Sequence, residues 1–196
     1  MRALLLSVFL GFVPTPPAGF QPVGQRAEVL VYKRAGAAGV ELYAEGDIAA
    51  PPSRVQAVLL DYANHSRFVK DVAETRILRR SESALWVYQR LDLPMIADRD
   101  FTLRVTWGQD GDELWTRFSC DNEQGPPPRS GVVRVSVHDG EWHLAPIAGG
   151  AATHARYKVH LDLAGSLPGW MARSGATKEV PALFEGLRRE VQQPAR

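Results

Sequence analysis

A single cysteine, Cys120, stands in a chain of 196 residues. An internal disulfide is therefore excluded, and the fold must rest on its core alone. Long apolar runs are also missing: the most apolar stretch, Ala3 to Val13, falls well short of the about 20 residues that a bilayer-spanning helix needs. Net charge is nearly absent, with 23 Lys and Arg against 22 Asp and Glu. Without a basic run, the chain lacks the electrostatic footprint of a nucleic-acid binder. It contains no Gly-x-Ser-x-Gly elbow, no phosphate loop and no dinucleotide fingerprint. The histidines, His65, His138, His143, His154 and His160, have spacings unlike any compact zinc motif. No catalytic residue, metal site or cofactor is expected.

What is present begins with an N-terminal segment patterned for export. Arg2 precedes the apolar Ala3 to Val13, Pro14, Pro16 and Pro17 break any helix, and Ala18-Gly19 offers small residues near a cleavage point. A signal peptide over residues 1–20 is expected, which would make the protein periplasmic or secreted. One domain then spans 28–192, with a tail at 193–196.

Val29 to Arg34 and Val40 to Ile48 predict two strands joined by a flexible Ala35–Gly39 connection. Pro51 and Pro52 suit a helix start, and Val55, Val58, Leu59 and Tyr62 follow at helical spacing. Asn64 is positioned to cap a second short helix carrying Phe68 and Val69. From Glu74 to Leu163 the period becomes two, over six or seven strands. Phe101, Leu103 and Val105 alternate with Thr102 and Arg104; Val133, Val135 and Val137 alternate with Arg134, Ser136 and His138; Ala155, Tyr157 and Val159 alternate with Arg156 and Lys158. Such alternation marks strands with one buried and one wet face. Turns are predicted at Asp110-Gly111-Asp112, Asp139-Gly140 and Gly149-Gly150. An amphipathic helix from Pro168 to Val191 closes the chain, and Pro181 should kink or split it near Thr177 or Lys178. The expected class is α+β: a curved antiparallel sheet gripping this long C-terminal helix, with two short helices after the second or third strand. The space between sheet and helix is a place for a ligand cavity.

Parity places Arg99 on the inward face with Phe101. A buried guanidinium keeps its charge and needs carboxylate, carbonyl or water partners. It is either a polar anchor for a ligand headgroup or a strand-entrance residue turned out toward Asp92 or Asp98. The strand carrying Tyr88 and Arg90 is apolar on both parities, so its register is open: it packs as core, or lines a pocket with those two residues. The cavity wall is expected from Phe101, Leu103, Tyr157, Val159, Trp170, Met171 and Ser174. Leu93-Pro94-Met95-Ile96 reads as an apolar rim. Cys120 reads as a small buried hydrophobe.

The run VELYAEGDIAAPPSRVQAVLL from Val40, then Val87-Tyr88-Gln89-Arg90, Asp98-Arg99-Asp100-Phe101 and Gly165-Ser166-Leu167-Pro168-Gly169-Trp170, together resemble the START lipid-transfer domain. That domain belongs to the SRPBCC, or birch-pollen-allergen-like, helix-grip superfamily. The resemblance spans about residues 28 to 192. It implies non-enzymatic binding or transfer of a lipid, sterol or similar hydrophobic molecule; a monomer making transient membrane contact is expected. The helix that precedes the first strand in many START domains has no counterpart here, its place being taken by Gly24 to Glu28. Two other readings stay open at this point: a polyketide cyclase or aromatase using the same cavity, and a protein-interaction module with a filled core.

Overall fold

The structure, a computed structural model, describes residues 16–35, 39–164 and 169–194, with the backbone alone for 169–177. Ten strands are found among these residues: β1 (Gln21–Arg26), β2 (Val29–Ala35), β3 (Val40–Ile48), β4 (Val72–Arg80), β5 (Ala84–Leu91), β6 (Asp98–Asp110), β7 (Glu113–Cys120), β8 (Val132–Arg134), β9 (Val137–Ile147) and β10 (Ala152–Asp162). Helix α1 (Pro52–Leu60) follows β3, and α2 (Gly169–Glu190) ends the chain. The sheet runs β1-β2-β3-β10-β9-β7-β6-β5-β4, and β8 lies parallel to β6. All the other pairs are antiparallel, as connections without intervening helices require. This is the expected helix-grip architecture.

One sheet face is apolar. Leu42, Ala44, Tyr157, Val159, Leu103 and Val105 all point to it and are buried. Against this face sits the C-terminal half of α2, through Val180, Phe184 and Leu187, with Val191 just past its end. Phe184 lies 5.2 Å from Trp142, which stacks on Tyr157 at 4.4 Å. Arg54 of α1 donates to the carbonyls of Glu190, Val191 and Gln193. These are acceptors that the end of a helix leaves unpaired, and a cation there also suits the helix dipole. Arg188 donates to Asp47 O at 2.9 Å and to Ala27 O. The end of α2 is thus pinned from both sides.

Several local expectations are corrected. β1 lies where no strand was predicted, because Gln21–Arg26 carries little apolar signal. It is an exposed edge strand held by its ladder to β2. The second short helix is a 3-10 helix, Tyr62–Arg67, with no side-chain cap; Asn64 instead donates to Asp61 Oδ2 at 2.8 Å. Of the kink or split expected at Pro181, the split does not occur: α2 runs through the proline as one element. Asp139-Gly140 is not a turn, since β9 passes straight through it. A Cβ at Gly140 would come within 2.5 Å of both Lys158 O and Phe118 Cζ. The glycine is there for close packing of β10 and Phe118. Gly140→Ala is accordingly expected to cost about 1–3 kcal/mol through overpacking. Urea denaturation measures it, and a loss below about 0.5 kcal/mol would show that the neighbours yield freely.

Candidate functional site: the inner face of the sheet

Strand parity decides which residues can reach the space beneath α2. Phe101 and Leu103 of β6, paired with Gln89 and Val87 of β5, face inward. So do Tyr157 and Val159 of β10, opposite Trp142 and Gly140 of β9. Phe101, Leu103, Tyr157 and Val159 are each at most 8 % exposed. Burial pushes the Tyr157 phenol, like that of Tyr62, well above its ordinary value, so both stay protonated. Trp170, Met171 and Ser174 have side chains outside the described residues.

Arg99 points inward and is 2 % exposed. It meets neither Asp92 nor Asp98. Its guanidinium donates to the carbonyls of Leu163 (3.2 Å), Ala164 (3.2 Å) and Ala97. A buried cation satisfied by carbonyl oxygens ties the start of β6 to the end of β10, just ahead of α2. Three of its five N–H groups are taken by these backbone carbonyls.

Tyr88 and Arg90 lie on the opposite face. They pair in register with Thr102 and Asp100, out of phase with Phe101. Tyr88 donates to Asp100 Oδ2 at 3.1 Å, and Arg90 engages Asp98 and Glu74. Arg134 completes this outer cluster with two bonds to the Asp100 carboxylate, 2.7 and 3.1 Å. Neither Tyr88 nor Arg90 lines the inner face. Their strand has two covered sides because the segment around Arg129 and Arg134 folds over the outer one.

A residue that alternation had put on the wet face is brought inward. His138 pairs with Leu161 and shares the face of Gly140 and Trp142. The chain leaves the sheet at Val135 and Ser136, between β8 and β9. A phase slip of one residue there moves the following side chains to the other side. The His138 ring stands edge-on to Phe101 (4.5 Å, 88°) and Phe118 (5.3 Å, 77°). Burial alone pushes its pKa down to about 4, yet the residue keeps intermediate accessible area. Nearby, burial pushes the Cys120 thiol up to about 11, so it is no nucleophile at neutral pH. Cys120 is half-buried rather than buried.

His143, His154 and His160 are on the outer face. A groove of about 500 Å³ crosses that face, lined by charged residues including Arg104, Arg117, Asp139, Glu141 and Lys158. Among the described residues no cluster of His, Cys, Asp or Glu is arranged to hold a metal ion, and no helix is long and apolar enough to cross a membrane. In the rim segment Leu93 is buried, while Met95 is 81 % exposed.

Comparison with known proteins bears on this arrangement. Residues 48–188 match the family described as polyketide cyclase / dehydrase and lipid transport. An uncharacterized protein of Pseudomonas aeruginosa is 28% identical over 143 residues, covering 72% of this chain and 70% of its own. In fold, the chain is similar to a STAR-related lipid transfer protein from Xanthomonas axonopodis, with TM-score 0.80, 24% identity, and coverage of 89% of this chain and 99% of that one. It is similar to human StAR-related lipid transfer protein 5 at TM-score 0.81 and 19% identity, covering 91% and 88%. The Zhui aromatase/cyclase of a Streptomyces species is more distant, at TM-score 0.56 and 16% identity, covering 80% and 95%. Family match, sheet order and gripped helix agree: the chain belongs to the polyketide cyclase / dehydrase and lipid transport family, and its fold is that of the STAR-related lipid transfer structures to which it is similar.

Proposed function

We propose that this protein binds, and carries without chemical change, a hydrophobic small molecule such as a lipid or sterol, held between the inner sheet face and α2. The observation that carries this reading is the broad apolar face of the sheet, with Phe101, Leu103, Tyr157 and Val159 turned toward the C-terminal helix laid against it. Affinity would come from apolar ligand area removed from water, at about 25 cal/mol per Å² before the costs of association. The lipid-transfer names of the similar structures support it. Residues 1–20 are proposed as an export signal whose removal leaves β1, from Gln21, intact. Met95 at the rim offers a first contact with a membrane.

A second reading, an enzyme of the cyclase type in the same space, is favoured by one observation, the inward imidazole of His138. Native mass spectrometry of protein purified from its own host, followed by solvent extraction, distinguishes the readings. A carrier is expected to show an added mass that extraction recovers unaltered. A ligand-free mass, together with no uptake of the apolar fluorophore diphenylhexatriene, would overturn the binding proposal. Conversion of an added polyketide substrate would establish the enzyme.

A further inference from the structure

Most polar side chains on the inner face have protein partners. Arg99 is held by three carbonyls, Gln89 donates to Thr75 Oγ1 at 3.2 Å, and Thr153 donates to Ala50 O at 2.7 Å. Two have buried atoms without one among the described residues. The first is the Thr116 hydroxyl, at the end where Trp142 lies opposite it and the interior is filled. The second is Nδ1 of His138, which is shielded from water and meets no donor or acceptor. An orphaned buried polar group is rare in a native fold and points to a partner that comes with function.

The position of this imidazole fits such a role. Phe101 and Phe118 stand edge-on to the ring, which fixes its plane without satisfying Nδ1. No charged group acts on it: burial is the sole influence on its protonation. The ring is therefore neutral across the physiological range and presents one N–H donor and one bare nitrogen acceptor. An anionic head placed against it would be buried without a counter-ion, which is costly. An uncharged hydroxyl or carbonyl requires only the hydrogen bond that the imidazole lacks.

We propose that His138 is the specificity-determining residue of the interior site, and that it selects hydrophobic ligands bearing an uncharged hydroxyl or carbonyl oxygen. The oxygen bonds the imidazole, after a half-turn of the ring about Cβ–Cγ where Nδ1 is the partner, while the hydrocarbon lies along Phe101, Leu103 and Val159. This assignment rests on the interior being the ligand site.

Displacement of diphenylhexatriene from the full chain by 1-decanol, decane and decanoate tests it. In His138→Phe the preference for decanol over decane is expected to fall about five- to tenfold, the value of one hydrogen bond, with decane affinity held within about twofold. His138→Gln, an uncharged donor and acceptor, should restore part of the preference. In the unsubstituted protein, decanol should shift the ring 15N resonances of His138 and decane should not, a readout independent of whether the variants fold. An unchanged decanol-to-decane ratio in His138→Phe, decanoate as the tightest competitor, or still ring resonances would each overturn the assignment while leaving the interior site standing. No uptake of diphenylhexatriene by the unsubstituted protein would remove both.

Discussion

On acidification from pH 6.5 to 4, the folded protein is expected to lose about 3 kcal/mol for each of two buried histidines, His65 and His138. Burial is the leading cause in both, since it disfavours the charged ring. His65 is wedged between Tyr62, stacked at 3.9 Å, and Phe68 at 5.1 Å, and its Nε2 donates to Leu59 O at 3.0 Å. That bond and Asp61 only partly oppose the shift. In the unfolded chain each ring takes a proton near pH 6.5; in the folded chain it does so near pH 4. Below the first value the unfolded state binds more protons, so acid pulls the equilibrium toward it. The stabilisation is complete above pH 6.5 and is spent by the time pH reaches 4. The carboxyls held low by cationic partners, Glu41 beside Arg34 and Glu141 beside His143 and Arg117, lose their contribution only below about pH 4.5. Urea denaturation at intervals across this window should show the slope, and His65→Gln with His138→Phe should flatten most of it. A stability that stays level from pH 6.5 to 4.5 would show that neither ring is buried as described.

Asp100→Ala should destabilise the fold by about 3–5 kcal/mol, the cost of stripping one partner from a buried ion pair. Asp100 is 1 % exposed and receives two bonds from Arg134 and one from Tyr88. Arg134 also donates to Pro126 O, and the Asp100 carbonyl accepts from Val135 N. The carboxylate thus fastens the segment between β7 and β9 over the outer face of β5 and β6. Without it, the Arg134 guanidinium loses its counter-ion and keeps only the Pro126 carbonyl, and the Tyr88 phenol loses its acceptor under that cover. Replacing the pair together, Asp100→Leu with Arg134→Met, should recover most of the loss, because the penalty lies in the orphaned charge rather than in missing attraction. A single-variant loss below about 1 kcal/mol in urea denaturation would refute the clasp.

The two residues of Asp98-Arg99-Asp100-Phe101 that matter most divide between faces, and the alternation of β6 already contained that division. Arg99 was legible as an inward cation. Asp100 was not legible as a clasp, because Arg134 lies 34 positions away and nothing local pairs them. Tyr88 and Arg90 were open for the same reason: with apolar residues on both parities, only the segment folded over the outer side settles which face is interior. The polar edge strand β1 carried no periodic signal, since an edge is held by its ladder rather than by burial.

The order of the elements, the antiparallel class of the sheet and the apolar face that α2 covers were all determined by the amino-acid sequence, because a period of two or of 3.6 is written locally into the side chains. Tertiary structure alone decided the rest. The break at Val135–Ser136 inverted the phase that carries His138 indoors, and Gly140 proved to be a point of close packing rather than a bend. Arg99 found carbonyl oxygens contributed by the far end of β10. Each of these depends on which distant backbone comes within a few ångströms, a quantity no local pattern contains.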